Sequence, residues 1–231
     1  MSALNGNHLI QRPLLVELAG PAGVGKSTLA AALARRVGAS PRTIWGLPLI
    51  PLIGNGIRLL PTLVSLWAHS RSPLWDEARH VVRLTTLHRA FRRGEPGREP
   101  VAVFDEGPVF ALAWLRGFGH ETLRNQASDA WWQATFREWR AVIDTVVVLD
   151  APDSILAQRI RARPDEHEVK QASDAEIIAW MARFRSALDW VLAELARQDG
   201  PTVLRLEAAQ APPDRIAERV LEGLDWGAYA G

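Results

Sequence analysis

The chain has 231 residues, of which 48% are hydrophobic and 23% charged, a composition typical of one globular domain with a substantial core. Its formal net charge at pH 7 is only +1, so nothing points to nucleic acid or an anionic membrane as the main partner. It contains no cysteine, which excludes disulfides and thiolate metal sites and is compatible with a reducing compartment.

Two stretches bear on targeting. Residues 1–13 lack the charged and apolar regions of a secretory signal, so we expect a cytoplasmic protein. Residues 43–70 are the most apolar part of the chain, but three prolines, three glycines and Arg58 interrupt them. No integral membrane segment is therefore expected, and an irregular segment followed by a buried helix is predicted. A wall of an acceptor pocket, or a surface that contacts lipid or a partner, is the alternative.

Strands and helices alternate along the chain. Short apolar runs bounded by Pro, Gly or Asp predict strands within residues 13–20, 100–107, 141–150 and 201–206, with a weaker one at 42–45. Amphipathic patterns predict helices over residues 26–37, 72–93, 121–140, 153–163, 175–197 and 213–221. Such alternation predicts a single α/β domain over residues 1–231, with a parallel sheet of about five strands and helices on both faces. Residues 95–100, EPGREP, are predicted to form a turn within it.

The first predicted strand leads directly into GPAGVGKST, which satisfies the phosphate-loop pattern G-x-x-x-x-G-K-[ST] and is followed by a predicted helix. Such a loop surrounds phosphate oxygens with backbone N–H groups at a helix N-terminus. Lys26 is expected to reach the β and γ phosphates, and the Ser27 hydroxyl to bind Mg²⁺. The predicted nucleotide-binding residues are Gly20, Ala22, Gly23, Val24, Gly25, Lys26, Ser27 and Thr28.

The run VAVFDEGPVF ends a predicted strand on two adjacent carboxylates. Asp105 is predicted to organise Mg²⁺ together with Ser27. Glu106 is a candidate general base, and Asp105 remains the alternative base. The same apolar-Asp-Glu pattern is also the Walker B form, in which the glutamate polarises an attacking water.

The stretch TVVVLDAPDSILAQRIRARPDEHEVK lacks the N/T-K-x-D motif that reads guanine, so guanine specificity has no support. Arg159 and Arg163 are four residues apart and are predicted to share a helix face, with Arg161 beside them. Arginines so placed can neutralise charge on a transferring phosphoryl group. The alternative is a solvent-exposed basic face paired with Asp165, Glu166 and Glu168.

On these motifs the chain resembles the small P-loop kinases that phosphorylate nucleotides, nucleosides and other small molecules, and its last helix, strand and helix resemble those of the thymidylate kinase group. The resemblance implies a three-layer P-loop fold that uses ATP and Mg²⁺, with a short lid at about residues 159–172 and an acceptor region at about 41–98. It also implies that Arg159 lies against adenine, that Arg163 contacts the transferring phosphates, and that residues 207–211 lie against the adenine.

The acceptor side departs from that family. Many of its members that act on a hydroxyl carry a carboxylate base near the second strand, but no acidic residue lies between Glu17 and Asp76. Thymidylate and deoxynucleoside kinases follow the third strand with an acidic residue and an arginine, whereas Glu106 follows Asp105 here. Because a carboxylate repels a phosphate on the acceptor, this favours a neutral or cationic hydroxyl compound.

Arg79 and Arg83 are the counter-evidence, because they share a face of the predicted helix over 72–93 near the place of an acceptor-phosphate arginine in the thymidylate kinase group. A charged solvent face is the alternative. His80 and His88 lie eight residues apart with no carboxylate framework, so no metal site is expected there. The ten tryptophans are expected mostly in the core, and any that line the acceptor site would favour an aromatic or apolar acceptor.

The sequence therefore predicts an ATP-dependent kinase acting on a hydroxyl of a small molecule, with Lys26, Asp105, Glu106, Arg159 and Arg163 as its catalytic set. A P-loop ATPase with Asp105 and Glu106 as a Walker B pair is the first alternative, and a nucleoside monophosphate kinase is the second. A nucleotide-binding protein without turnover is the least supported, because Lys26 and Ser27 are intact. No nucleic-acid partner is expected, and a homodimer is left open.

Overall fold

The computed structural model describes residues 13–70, 74–94, 99–124, 129–164, 167–197, 199–209 and 211–224. Four strands form one sheet: β1 (Leu14–Ala19), β2 (Val101–Asp105), β3 (Thr145–Asp150) and β4 (Thr202–Glu207). Their order across the sheet is β2-β1-β3-β4, and every neighbouring pair is parallel. The carboxyl ends of all four strands therefore meet at one edge of the sheet.

Helices follow and cover the strands. The α-helices are α1 (Lys26–Val37), α2 (Leu49–Ser70), α3 (Trp75–Arg92), α4 (Pro108–Phe118), α5 (Glu121–Arg124), α6 (Asp129–Arg140), α7 (Asp153–Ala162), α8 (Asp174–Leu195) and α9 (Pro213–Gly223). A short 3-10 helix, Ile44–Gly46, precedes α2. The parallel α/β fold predicted from the alternation of apolar runs and amphipathic patterns is confirmed.

The hydrophobic core lies in two layers, one on each face of the sheet. Helices α3, α4, α6 and α8 contribute to one layer, which includes Phe104, Trp139 and Phe184. Helices α1, α7 and α9 contribute to the other, which includes Leu29 and Leu156. Residues of β1, β2 and β3 alternate between the two layers, so these strands are buried on both faces, as continuous apolar runs predict. Strand β4, at one edge of the sheet, is only half-buried, whereas β2, at the other edge, is buried.

The predicted strand over residues 42–45 does not form, and the described residues contain four strands rather than about five. Only Arg42 pairs with β2, through an isolated parallel bridge to Phe104. Its N–H donates to Val103 O, and its carbonyl accepts from Asp105 N–H, both at 2.9 Å. The chain then turns into the 3-10 helix, where the Thr43 hydroxyl accepts from Trp45 N–H, and this turn ends the pairing.

The prediction of a buried helix within residues 43–70 was wrong about its burial. Helix α2 accommodates Pro51 in its first turn and Pro61 in its interior. One face packs against α3, and the other presents six exposed apolar side chains: Leu49, Ile50, Ile53, Ile57, Leu60 and Val64. None of the helices in the described part of the chain is both long and apolar enough to cross a membrane.

Other helix boundaries differ in detail. Helix α4 was not predicted, although Gly107 at the N-cap and Pro108 at the first helical position form a common helix start. The predicted helix over 121–140 is found as α5 and α6, with 125–128 outside the described residues. The predicted helix over 72–93 is observed from Trp75, and the predicted turn at 95–100 is described only at its last two residues.

Candidate active site

The phosphate loop connects β1 to α1 in a conformation that requires glycine. Gly20 has φ 143°, and a Cβ there would lie 2.2 Å from the carbonyl oxygen of Leu149 on β3. Gly25 precedes α1 with φ 102°, in the left-handed region. The loop therefore passes close to the neighbouring strand and presents backbone N–H groups at the N-terminus of α1, as an anion cradle requires.

Lys26 lies at the centre of this loop. Its Nζ donates to the carbonyl oxygens of Gly20 at 2.9 Å and Pro21 at 3.1 Å. Burial lowers the pKa of Lys26, and the nearby carboxylates of Asp105 and Glu106 raise it again in part. The phosphate loop and the end of β2 thus place one ammonium group beside two carboxylates.

Asp105 ends β2 next to the phosphate loop and fits the predicted Mg²⁺ role. Its Oδ1 is buried, and no hydrogen-bond partner for it is found among the described residues. Ser27 lines the same cavity as Asp105. A carboxylate oxygen without a donor and a hydroxyl are ligands that Mg²⁺ prefers. These two residues would hold the ion, although the roles of the site residues remain predictions.

Glu106 occupies a constrained turn between β2 and α4. Its φ is 61°, a left-handed conformation that is uncommon for residues other than glycine. The backbone carbonyl of Glu106 accepts from Ile44 N–H at 3.0 Å, and its Oε2 accepts from the indole N–H of Trp45 at 2.9 Å. Burial raises the pKa of Glu106, while Lys26 holds it down. Two residues of the 3-10 helix before α2, Ile44 and Trp45, therefore hold the backbone and the carboxylate of Glu106 in place.

Glu17, in the middle of β1, is a buried carboxylate that was not predicted to belong to the site. It is fully buried, and its two oxygens accept backbone N–H groups of Gly107, Val109 and Phe110 at 2.8–3.1 Å. These N–H groups belong to the first turn of α4, where no intrahelical partner exists. The signal in the sequence was an acidic residue inside an otherwise apolar strand, since a buried charge must be paired or hydrogen-bonded.

The buried Glu17 should make folding stability depend on pH. Burial raises the pKa of Glu17 from 4.5 to about 8, and the three N–H donors, which lower it, offset this increase only in part. The folded protein therefore binds this proton more tightly than the unfolded chain does, so the stabilisation is complete below about pH 4.5 and is lost as pH rises through about 8. We expect the free energy of unfolding of the wild type, relative to Glu17→Gln, to fall by roughly 1.4 kcal/mol per pH unit between these values.

Urea denaturation of both proteins at several pH values measures this difference. A difference that stays constant from pH 5 to pH 8 would contradict the raised pKa of Glu17. Other titrating groups contribute to both proteins alike and cancel in the comparison.

The predicted lid arginines separate into two groups. Helix α7 ends at Ala162, so Arg163 is the C-cap residue with extended backbone and does not continue the helical face of Arg159 as predicted. Both arginines nevertheless line the cavity above the phosphate loop, and Arg159 approaches the Gly23 carbonyl oxygen at 3.4 Å. Arg161 was wrongly grouped with them, because it turns away to pair with Asp174 at the start of α8.

The acidic partners of the alternative lid interpretation are only partly described. Asp165 and Glu166 lie outside the described residues, and Glu168 accepts from the indole N–H of Trp180 at 3.3 Å. Arg185 of α8, which the sequence did not single out, connects the elements on either side of the turn before α7. Its guanidinium bonds the carboxylates of Asp150 at 2.8 Å and Asp153 at 2.6 Å, and so connects the end of β3 to the start of α7.

One cavity of about 590 Å³ joins these parts. Its phosphate end consists of the phosphate loop, Asp105 and the arginines Arg159 and Arg163. We call the rest of the lining the acceptor end; it comprises Glu106, Asp76, His80, His167, Glu168 and an aromatic wall. The aromatic wall comprises Trp45, Phe110, Trp114, Trp180 and Phe184.

The aromatic wall is built by packing between distant elements. Trp180 of α8 is stacked with Phe118 of α4 and, at a centroid distance of 6.1 Å, with Phe184. Trp114 is stacked on His80 at 4.2 Å, and the edge of His80 meets Trp45 at 5.1 Å. Burial lowers the pKa of His80, which keeps its imidazole neutral near pH 7. The acceptor end therefore combines aromatic rings with carboxylates.

Arg79 and Arg83 do not line this cavity. Their guanidinium groups lie over the ring of Trp45, at 5.7 Å and 4.9 Å from its centroid, and Arg79 also pairs with Asp76 at 3.3 Å. They share a face of α3, as predicted, but that face meets an aromatic ring. Their predicted contact with an acceptor phosphate gains no support from this position.

A second groove, of about 650 Å³, lies beside the phosphate loop. It is bordered by Val24, by Arg159 and by Ala208, Ala209 and Ala211 of the β4–α9 connection. The segment 207–211, which is predicted to lie against adenine, thus borders the same groove as Arg159, which is predicted to contact adenine. Residue 210 is outside the described residues.

Several residues of the site had no clear signal in the sequence. Trp180 and His80 lie in predicted helices, and a helical pattern does not distinguish a core face from a cavity wall. Trp114 lies in α4, which was not predicted. The described residues contain no cluster of three or more His, Cys, Asp or Glu side chains that could hold a metal ion.

No protein-family model matches the chain, and no curated protein is similar to it in sequence. Solved structures do match it. YorR from Bacillus subtilis, in complex with phosphorylated GDP, is 17% identical with a TM-score of 0.53, and the match covers 93% of this chain and 98% of that chain.

Two kinases match equally well. Deoxyadenosine kinase from M. mycoides, with dCMP and dCDP bound, is 12% identical with a TM-score of 0.55 and coverage of 92% of this chain and 99% of that chain. Shikimate kinase from Bacteroides thetaiotaomicron is 14% identical with a TM-score of 0.53 and coverage of 92% and 98%. The chain therefore has the fold of the small P-loop kinases, as the resemblance in sequence implied. Identities this low show the fold and not the substrate.

Proposed function

We propose that this chain is an ATP-dependent phosphotransferase that moves the γ-phosphate of ATP to a hydroxyl of a small molecule. The observation that carries the proposal is the single cavity that joins the phosphate loop to Glu106 and the aromatic wall. A nucleotide bound by the loop would present its terminal phosphate toward the acceptor end. The kinase fold of the neighbours agrees with this activity.

Each group has a role in the proposed reaction. Lys26 and the loop N–H groups bind the triphosphate, and Ser27 and Asp105 would hold Mg²⁺, which supplies charge neutralisation when bound. The acceptor oxygen forms a bond to the γ-phosphorus as the bond to the bridging oxygen of ADP breaks, and the hydroxyl proton passes to Glu106. Arg163 neutralises charge on the transferring group, and the lid segment excludes water that would otherwise compete.

The acceptor end favours an acceptor with a flat or apolar body and no phosphate. Aromatic rings stack on planar groups, and Asp76, Glu106 and Glu168 would repel an anion. No lysine or arginine outside the phosphate loop and lid lines the cavity within the described residues. A neutral or cationic hydroxyl compound therefore suits this end better than a nucleoside monophosphate does.

ATP turnover with and without candidate acceptors tests the proposal. We expect slow ATP hydrolysis alone and at least a tenfold faster release of ADP with ring-bearing alcohols or nucleosides, with the phosphoester detected by mass spectrometry. Rapid hydrolysis that no acceptor stimulates would support the Walker B ATPase instead. Stimulation confined to nucleoside monophosphates would support the second alternative.

A further inference from the structure

The side chain of Glu17 is hydrogen-bonded to the start of α4. Strand β1 pairs with β2 in register, with Glu17 opposite Phe104, so Glu17 is fixed beside the strand that ends at Asp105. Its Oε1 accepts from Gly107 and Phe110 N–H groups at 3.1 and 2.8 Å, and its Oε2 accepts from Val109 N–H at 2.8 Å.

This arrangement differs from an ordinary helix cap. An N-cap side chain usually comes from the residue that begins the helix, but Gly107 has no side chain and the cap comes from a strand 90 residues earlier in the chain. The contact is so close that a Cβ on Gly107 would lie 2.8 Å from the Glu17 carboxylate. The cap therefore ties the position of α4 to the sheet.

Glu106 is the only residue between Asp105, which ends β2, and Gly107, the N-cap residue of α4. With both neighbours held, Glu106 adopts φ 61°, which places its carboxylate at the indole N–H of Trp45. Non-glycine residues leave the left-handed region unless surrounding structure imposes it. Without the Glu17 cap, the turn can relax and carry the Glu106 carboxylate away from the acceptor end.

We propose that Glu17 is a positioning residue that acts through Glu106, by locking the turn at 106–107 in the conformation that phosphotransfer needs. The proposal rests on the proposed function of Glu106 as the base. Glu17 itself touches neither nucleotide nor acceptor, because it is completely buried beneath the start of α4.

Glu17→Gln tests this proposal, because the glutamine amide nitrogen cannot accept a hydrogen bond and at least one backbone N–H loses its acceptor. We expect kcat for phosphotransfer to fall by about 10–100-fold, the loss typical of a misplaced reacting group, while KM for ATP is unchanged. The indole N–H signal of Trp45 should also lose its protection from hydrogen exchange.

A double-mutant cycle separates positioning from general damage. In the Glu106→Gln background, Glu17→Gln should cause no further loss of kcat, since the residue that it positions is already inactive. Equal losses in both backgrounds, or an unchanged kcat in Glu17→Gln, would overturn the proposal. If Glu106→Gln alone leaves phosphotransfer intact, the role of Glu106 fails instead, and the two failures are distinguishable.

Two further variants guard against misinterpretation. Gly107→Ala introduces a Cβ against the Glu17 carboxylate and should reproduce the loss of kcat even if Glu17→Gln does not fold. Glu194→Gln alters another buried glutamate, which lies in the last turn of α8 and pairs with Arg197 just beyond that helix. It should leave kcat within about twofold of the wild type. A comparable loss in Glu194→Gln would show that any buried Glu→Gln change is damaging.

Discussion

Glu106→Gln should lower kcat for phosphotransfer by about 10²–10⁴-fold, the range of a general base, and leave the Kd for ATP nearly unchanged. The Glu106 carboxylate accepts from the indole N–H of Trp45, whereas the proposed ATP site is formed by the phosphate loop. The substitution keeps the side-chain volume and removes only the group that can take the hydroxyl proton.

Lys26→Ala provides the contrast for this experiment. Lys26 lies within the phosphate loop, so its loss should weaken ATP binding and phosphotransfer together. Steady-state kinetics and calorimetric titration of ATP measure the two effects. If Glu106→Gln transfers phosphate at the wild-type rate, Glu106 is not the base, and Asp105 becomes the remaining candidate among the carboxylates beside Lys26.

Arg163→Ala should lower kcat by about 10³–10⁵-fold, because a single arginine that neutralises a transferring phosphoryl group can contribute that much. Its side chain lines the cavity at the end of α7. Burial is the main cause that lowers the pKa of Lys26, and the nearby charge of Arg163 lowers it further. Loss of the guanidinium would leave the transition-state charge to Lys26 and the proposed Mg²⁺.

Arg161→Ala is the matched control for this change. Arg161 lies two residues earlier in the chain, does not line the cavity, and pairs with Asp174 and the Ala172 carbonyl. Its substitution should change kcat by no more than about twofold, as expected for an exposed ion pair. Equal losses in Arg161→Ala and Arg163→Ala, measured in the same acceptor-dependent assay, would mean that overall lid charge matters rather than the position of Arg163.

The donor side of the molecule could be predicted because its signals are local. The phosphate loop needs glycine at fixed positions between a strand and a helix, and the structure has positive φ values at Gly20, Gly23 and Gly25. Strand ends such as Asp105 meet the loop because neighbouring parallel strands end at one edge of the sheet. These relations follow from backbone geometry over a few residues, so the sequence pattern contains them.

The acceptor side could not be predicted to the same depth, because its residues come from elements far apart in the chain. The aromatic wall combines Trp45, Trp114 and Trp180, whose spacing within their own segments carries no sign that they face one cavity. The same holds for Arg79 and Arg83, whose helix face was predicted correctly but whose contact with Trp45 depends on the 3-10 turn before α2.

The turn at Glu106 shows where the two kinds of information divide. The sequence by itself determined that an apolar strand ends at two adjacent carboxylates and that a glycine-rich phosphate loop connects another strand to a helix, because both are local patterns. The tertiary structure alone decided that the two carboxylates have different surroundings: Asp105 Oδ1 is buried with no hydrogen-bond partner among the described residues, whereas Glu106 Oε2 accepts from the indole N–H of Trp45. That division depends on Glu17 of β1 and Trp45 before α2, which hold the left-handed turn through hydrogen bonds that span 61 to 93 residues of chain.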